Sequence, residues 1–415
     1  MKRLASQTTE NEKCGKRELI VLQYVIGLLF MLLLWDCRQG LNPPADQDSE
    51  KDIGTFQPDP QKVPKQEVKT LQIGENAPDF SLPDIEGNFH TLQDYNKFTL
   101  LVIVFTCNHC PTAQAYEQRL IDFTNDYSSK SVAVVAIMPN SAYGLLLEEC
   151  GYSDLNDSWA EMKIRAEGKG FNFPYLYDGD NHAVSILYGP VTTPHVFVFD
   201  QDRKLRYVGR IDDSEKPGTA HAEDLRKAVD ELLDGKPVSV PVTKTFGCSI
   251  KWAWKSEWTD KVNKEWEDKE VSLVGIDEKG ISGLLDNTGN KLRLINFWAT
   301  WCAPCVTEFP EFVKIQRMYG NRDFEFISVS TDNPDNREKT LAFLQKNHAA
   351  GQNFIYSEKD KYRLIEEVDT LWGGALPYTL LVEPGGNIIM REQGLVDILG
   401  LRKTIVEHPL LGRYY

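Results

Sequence analysis

Eight cysteines occur in the 415 residues, and four of them form two Cys-x-x-Cys pairs, Cys107 with Cys110 and Cys302 with Cys305. This usage points to redox or metal chemistry rather than to a disulfide scaffold. The pair at Cys302 follows the apolar run Leu294-Ile-Asn-Phe-Trp298, and a helix-like pattern starts at its second cysteine. Cys302 is therefore expected at a helix N-terminus, where unpaired backbone N–H groups and the helix dipole favour a thiolate. A thiol of low pKa attacks disulfides, and Cys305 stands one turn along, placed to close a mixed disulfide. The upstream pair follows a similar run, Thr99-Leu-Leu-Val-Ile-Val-Phe105. Cys107 is expected to attack there and Cys110 to resolve. Between them stands His109, which when protonated stabilises a thiolate and makes the disulfide more oxidising. Simple solvation at a helix start is the other reading of that histidine.

The elements that must carry these pairs are short and apolar. In the first half, strand candidates are Leu100–Phe105, 132–137, His195–Phe199 and 205–208; helical patterns follow Cys110 and recur over 159–167 and 222–233. In the second half, strands are expected at Leu292–Trp298, 324–329, Tyr378–Val382 and 388–390; helical patterns follow Cys305 and recur over 337–347 and 395–406. Strands alternating with helices imply an α/β sheet. The chain thus reads as a divergent internal repeat, with domains at 71–252 and 271–415. Residues 253–270 read as a linker helix. There Trp254, Trp258, Val262 and Trp266 recur every four residues, giving one apolar face to pack on a domain.

A chain of 415 residues implies two or three domains, and 41% hydrophobic content suffices for packed cores. The formal net charge of -15 argues against nucleic acid and against charge-driven binding to an anionic membrane surface. Residues 1–18 are polar and basic, with Lys2, Arg3, Lys13, Lys16 and Arg17. Residues 19–35 are apolar apart from Gln23, Tyr24 and Gly27. At 1.5 Å per residue they span roughly 26 Å, near the lower limit for crossing a bilayer. The basic side stays in the cytoplasm, so the rest of the chain is expected to be extracytoplasmic, or periplasmic. Trp35-Asp36-Cys37 offers no small residues for signal cleavage, and Asp36 is a poor neighbour for a lipidated Cys37, which favours an uncleaved anchor. Residues 36–70, rich in Pro, Gln, Asp and Lys, read as a flexible tether.

These motifs resemble known families. The sequence Trp301-Cys302-Ala303-Pro304-Cys305, with a strand before it and Pro310 after it, resembles the thioredoxin fold. In particular it looks like the membrane-tethered TlpA/ResA-like thiol-disulfide oxidoreductases. The stretches Phe105-Thr-Cys-Asn-His-Cys-Pro111, Thr193-Pro194-His195 and Gly247-Cys-Ser-Ile-Lys-Trp252 are together similar to the AhpC/TSA-type redoxins. The resemblance implies two tandem thioredoxin-like folds behind the transmembrane segment and tether. It also implies a cis-proline beside each active disulfide, at Pro194 and at Pro377, and a structural kink at Pro310. Glu308, one turn beyond Cys305, matches the acidic residue that handles protons in the TlpA/ResA-like motif. Such a carboxylate could accept the Cys305 proton; the alternative is a solvated glutamate in the first helix. If the two cysteine pairs are equivalent, Ala113 stands where Glu308 stands, and the first domain lacks that acid. The implied activity is exchange with protein thiols and disulfides, apocytochrome c among them. A membrane-bound or soluble thiol donor would feed it, with no cofactor.

The cysteine spacings bear on other classes of function. Shared zinc is disfavoured because ribbon-type pairs lie about 15–20 residues apart, whereas Cys110 and Cys302 are far apart in sequence. A permanent structural disulfide is disfavoured because so short a loop is easily reduced. A peroxidatic cysteine in this family would show Pro-x-x-x-Thr-x-x-Cys. Counting back from Cys107 gives Val104 and Leu100, and from Cys110 gives Cys107 and Ile103, so neither fits. Two thiolates and His195 near a cis-proline could hold Cu(I), as in Sco-like copper chaperones, though those space their cysteines one residue wider. Cys248 and Cys150 read as small buried residues, with a resolving role the alternative for Cys248.

Overall fold

A run such as Leu-Leu-Val-Ile-Val-Phe, with no polar alternation, is stable as a strand only when both of its faces are covered. In the computed structural model, which describes residues 56–412, this run is the centre of a five-stranded sheet. In chain order the first half contains β1 (Ser81–Pro83), β2 (Phe89–Thr91), β3 (Leu100–Phe105), helix α1 (Pro111–Tyr127), β4 (Val132–Met138) and α2 (Trp159–Lys169). Then come β5 (Tyr175–Tyr177), β6 (Thr192–Thr193), β7 (His195–Phe199), β8 (Leu205–Gly209), α3 (Asp224–Leu233) and β9 (Cys248–Ser249). The sheet order is β5-β4-β3-β7-β8, with β3 parallel to β4 and antiparallel to β7. Every β3 side chain is buried. Each buried Leu, Val or Ile there contributes roughly 1.5–3 kcal/mol.

The second half repeats the plan. Helix α4 (Ser256–Glu267) leads to β10 (Val274–Ile276), α5 (Glu278–Asp286), β11 (Leu292–Trp298), α6 (Ala303–Tyr319) and β12 (Phe324–Ser330). There follow α7 (Arg337–Lys346), β13 (Gln352–Tyr356), α8 (Lys361–Val368), β14 (Tyr378–Val382), β15 (Ile388–Gln393) and α9 (Ile398–Glu407). The sheet order is β10-β13-β12-β11-β14-β15, and β11 is parallel to β12 and antiparallel to β14. Both halves are thus mixed α/β, thioredoxin-like folds in which a buried central strand feeds a helix next to two cysteines.

Three expectations are corrected. Residues 56–70, assigned to the free tether, lie against the first fold. The Phe56 ring meets Trp159 edge-on at 5.4 Å, Gln61 N–H donates to Asp180 O, and Thr70 Oγ1 donates to Gly189 O. The linker's apolar face is also split, because α4 begins only at Ser256. Trp254 stacks on Trp252, Trp266 packs on the second core, and Trp258 is 58% exposed. Thirdly, Cys150 is buried, but in the core of the second fold, beside Met318 and Tyr319.

That last placement reflects how the two folds are joined. The segment between β4 and α2, with the start of α2, bridges the first fold to α6 and α9. Arg317 Nε donates to Glu148 at 2.8 Å, Arg402 pairs with Glu161 at 3.0 Å, and Tyr319 OH donates to Ser153 O at 2.8 Å. The described residues, 56–412, accordingly fall in one compact unit. The expected anchor, residues 19–35, lies outside the described residues. Among the described residues no helix is long and apolar enough to cross a membrane.

Candidate active site

In the second fold, β11 ends at Trp298 and the chain turns through Ala299-Thr300-Trp301 into α6. Asp332 fixes the turn, accepting from Thr300 N–H at 3.0 Å and from Thr300 Oγ1 at 2.9 Å. Cys302 is the N-cap of α6, and its sulfur accepts the Cys305 N–H at 3.3 Å. Pro304 is tolerated in this first turn, where no intrahelical N–H bond is lost. Cys302 and Cys305 are joined by a disulfide. Both sulfur-bearing residues are nearly covered, while Trp301 beside them is 68% exposed. The Leu376–Pro377 peptide is cis and leads directly into β14. Pro310 lies inside α6, as expected of the helix proline.

Glu308 is on the same helix, one turn beyond Cys305, and is buried rather than solvated. Burial pushes its pKa up to about 7, against the lowering effects of the Val396 N–H, 3.2 Å from Oε2, and of the Asn296 amide. Its Oε1 is buried without a hydrogen-bond partner among the described residues. A carboxyl that titrates near neutrality can both take up and return a proton.

The first fold differs in register. Helix α1 begins at Pro111, and its N-cap is Cys110, whose sulfur accepts the Ala113 N–H at 3.5 Å. Strand pairing gives the same answer. Phe105 pairs with His195, the residue after cis-Pro194, as Phe297 pairs with Tyr378, the residue after cis-Pro377. Cys110 and Cys302 each lie five residues beyond those paired phenylalanines. The counterpart of Cys302 is therefore Cys110, not Cys107. The expected attacking and resolving order at this pair is corrected accordingly, because the favourable helix end is three residues later than the cysteine spacing suggested. The correction carries along α1: Ala113 stands where Cys305 stands. Tyr116, its hydroxyl donating to Asp212 at 2.7 Å, stands where Glu308 stands.

The surroundings of Cys110 favour its thiolate. Burial opposes the charge, but hydrogen bonding from Cys107 and Cys248, the neighbouring His109 and the Ala113 N–H outweigh it and hold the thiol well below its usual range. Cys107 is pushed well up by burial and by its contact with Cys110. Its sulfur lies 3.1 Å from Thr193 Oγ1 and 3.5 Å from His109 Nδ1. His109 is not solvated: it is buried, with Nδ1 2.6 Å from Asp157 Oδ2. Burial works against its charge, yet Asp157 raises its pKa on balance.

Asp157 and Asn140 carry no sequence signal, and Thr193 enters only as part of the Thr193-Pro194-His195 motif. Asp157 lies 48 residues from His109, and no short-range motif marks it. Cys248 fell inside a quoted motif, and the structure sets its backbone N–H 3.4 Å from Cys110 Sγ. His195 stands apart from the cysteines' polar cluster. Its Nδ1 accepts the Val191 N–H at 3.2 Å, and burial pushes its pKa down to about 4. Among the described residues the one grouping with metal-capable spacing is Cys107, His109 and Asp157. Its carboxylate already accepts four hydrogen bonds, from Asn108 N, His109 N, His109 Nδ1 and Asn140 Nδ2. That leaves it poorly suited to a cation.

Curated relatives are similar over part of the chain. A thiol-disulfide oxidoreductase ResA of Oceanobacillus iheyensis is 25% identical over 144 residues, which is 33% of this chain and 62% of that protein. ResA of Bacillus subtilis is 26% identical over 157 residues, 36% of this chain and 76% of that protein. The thiol:disulfide interchange protein HelX of Rhodobacter capsulatus is 30% identical over 129 residues, 31% of this chain and 65% of that protein. Among solved structures, a hypothetical protein from Sinorhizobium meliloti is 34% identical, covering 45% of this chain and 98% of its own, with a TM-score of 0.40. The AhpC/TSA family pattern matches residues 73–208 and 267–391, one segment in each fold and more than half of the chain together, and the chain belongs to the AhpC/TSA family.

Proposed function

We propose that the chain is a thiol-disulfide oxidoreductase acting on protein thiols and disulfides, with Cys302 and Cys305 as its principal exchanging pair. The observation that carries this reading is the disulfide at the N-terminus of α6, one turn from a buried carboxyl poised near pH 7. In the reduced form, the Cys302 thiolate attacks a substrate disulfide, and one substrate sulfur leaves as a thiolate. Glu308 then takes the Cys305 proton, and Cys305 attacks Cys302 Sγ. The second substrate sulfur leaves, and the Cys302–Cys305 bond forms. The same steps in reverse oxidise a substrate dithiol.

The basic flank and apolar residues 19–35 support a membrane anchor with both folds on the extracytoplasmic side. The names of the ResA and HelX relatives support protein substrates, and the TlpA/ResA-like resemblance makes apocytochrome c one to try, with a membrane or soluble thiol donor. Reduction of insulin by the purified protein with a thiol donor tests the activity. It should lose most of its rate in Cys302→Ser, and unchanged turnover in that variant would contradict the reading.

A further inference from the structure

Three cysteines meet in the first fold, and their arrangement does not single out the Cys-x-x-Cys pair as the working couple. Strand β9 is held against β6 with Thr193 opposite Cys248. This approach depends on Gly247, whose φ is +134° and where a Cβ would fall 2.1 Å from Thr193 O. A residue with a side chain would push β9 away. The close approach presses Cys248 onto Cys110: its backbone N–H reaches Cys110 Sγ at 3.4 Å.

Exposure separates the candidates. Cys110 is fully buried, and Cys107 is buried and turned toward Thr193 Oγ1 and His109. Cys248 alone of the three is partly exposed. It opens on a groove of about 540 Å³, whose walls include Pro111, Thr112, Glu215, Phe246 and Gly247. Cys107 does not line that groove. A protein disulfide approaching the first fold therefore meets Cys248 first, with the helix-capping Cys110 sulfur directly behind it.

We infer that the working dithiol of the first fold is Cys110 with Cys248, the substrate disulfide entering at Cys248 from the groove. This rests on the reading of the chain as a thiol-disulfide oxidoreductase. The dithiol begins with one proton shared between the two sulfurs. Transfer of that proton to Cys110 leaves a Cys248 thiolate, which attacks one substrate sulfur. The substrate S–S bond breaks, and its other sulfur leaves, taking the proton from Cys110. The restored Cys110 thiolate attacks Cys248 Sγ and expels the first substrate sulfur as a thiolate. The substrate disulfide has gained two electrons, and the protein has lost two in forming the Cys110–Cys248 bond. Cys107 stays against Thr193 Oγ1 and His109 and is not consumed.

The test maps disulfides by mass spectrometry in the full chain carrying Cys302→Ser and Cys305→Ser, reduced and then equilibrated with oxidised dithiothreitol. The expected product links the peptide of Cys110 to that of Cys248. The link should persist when Cys107→Ser is added and vanish, with no replacement, when Cys248→Ser is added. A Cys107–Cys110 link in the parent, or no link in the first fold at any ratio of oxidant to reductant, overturns the inference. Trapping provides a second arm: with Cys110→Ser, an oxidised peptide substrate should stay attached at Cys248, and attachment at Cys107 instead overturns it. Because the second-fold cysteines are absent, this result is independent of whether Cys302 exchanges with proteins.

Discussion

Asp157 holds His109 from two directions: Oδ2 lies 2.6 Å from the ring Nδ1, and Oδ1 accepts the backbone N–H groups of Asn108 and His109, each at 2.9 Å. One buried carboxylate therefore fixes the whole turn between Cys107 and Cys110. It also favours the imidazolium, whose charge helps hold the Cys110 thiol down. Histidine and aspartate form a charge pair with almost no access to water.

Replacing Asp157 with Asn should therefore be severe. It leaves the ring without its counter-charge, and removing one partner of a buried pair typically costs about 3–5 kcal/mol. Urea unfolding of the full chain at neutral pH measures this. The pH dependence has a definite sign. The His109 pKa is raised above its ordinary 6.5, so its contribution is complete below that value and is lost as pH rises through the folded pKa. Asp157 is lowered below 3.8, so its contribution is complete above that value and is lost as pH falls through the folded pKa. The stability gap between parent and Asp157→Asn should be widest between these limits and narrow on either side.

Glu308 is the opposite case. Its pKa is raised from 4.5 to about 7, so the folded state binds more protons across that window and is destabilised as pH rises through it. Glu308→Gln should be more stable than the parent above pH 7, and the two should converge below pH 4.5. Activity should move the other way. The carboxylate form accepts the Cys305 proton, so disulfide reduction should rise with pH around 7 in the parent. The Gln variant should lose that limb and about 10²-fold in rate. Thermal unfolding and an insulin-reduction pH profile read the two effects separately.

The joint between the folds predicts a third result. Arg402 donates to Glu161 and to Asp154 O at 2.6 Å, and both members of the ion pair are nearly covered. Arg402→Ala should destabilise the protein by about 3 kcal/mol, since Glu161 loses its buried partner. It should also speed protease cleavage in residues 141–158. Unchanged stability would mean that the contact does not hold the folds together.

The alternation of apolar strands with helices, and the placement of each cysteine pair after such a strand, were legible because burial on both faces demands continuous hydrophobic runs. The three-residue strands β5 and β10 were not, since period two cannot be read over three residues. Strand β13 opens on the amides Gln352 and Asn353, which hide its buried half. In the first site, spacing alone put the two Cys-x-x-Cys pairs in register and made Cys107 the counterpart of Cys302. The helix start at Pro111 and the pairing of Phe105 with His195 move the counterpart to Cys110. A helix boundary is the least legible feature of a sequence, and here it decides which sulfur is the thiolate. Asp157 was invisible because its role depends on a contact across 48 residues.

The most direct test of the account is to trap the exchange intermediate at Cys302. Cys305→Ala leaves the α6 N-cap thiolate intact but removes the sulfur that would release the substrate. Isolated from its native host under acid quench and resolved without reductant, this variant should carry disulfide-linked proteins attached through Cys302, and adding Cys302→Ser should remove every one of them. If the Cys305→Ala protein carries no adduct at Cys302, with native or added protein substrates, then Cys302 is not the exchanging thiol and the account is wrong.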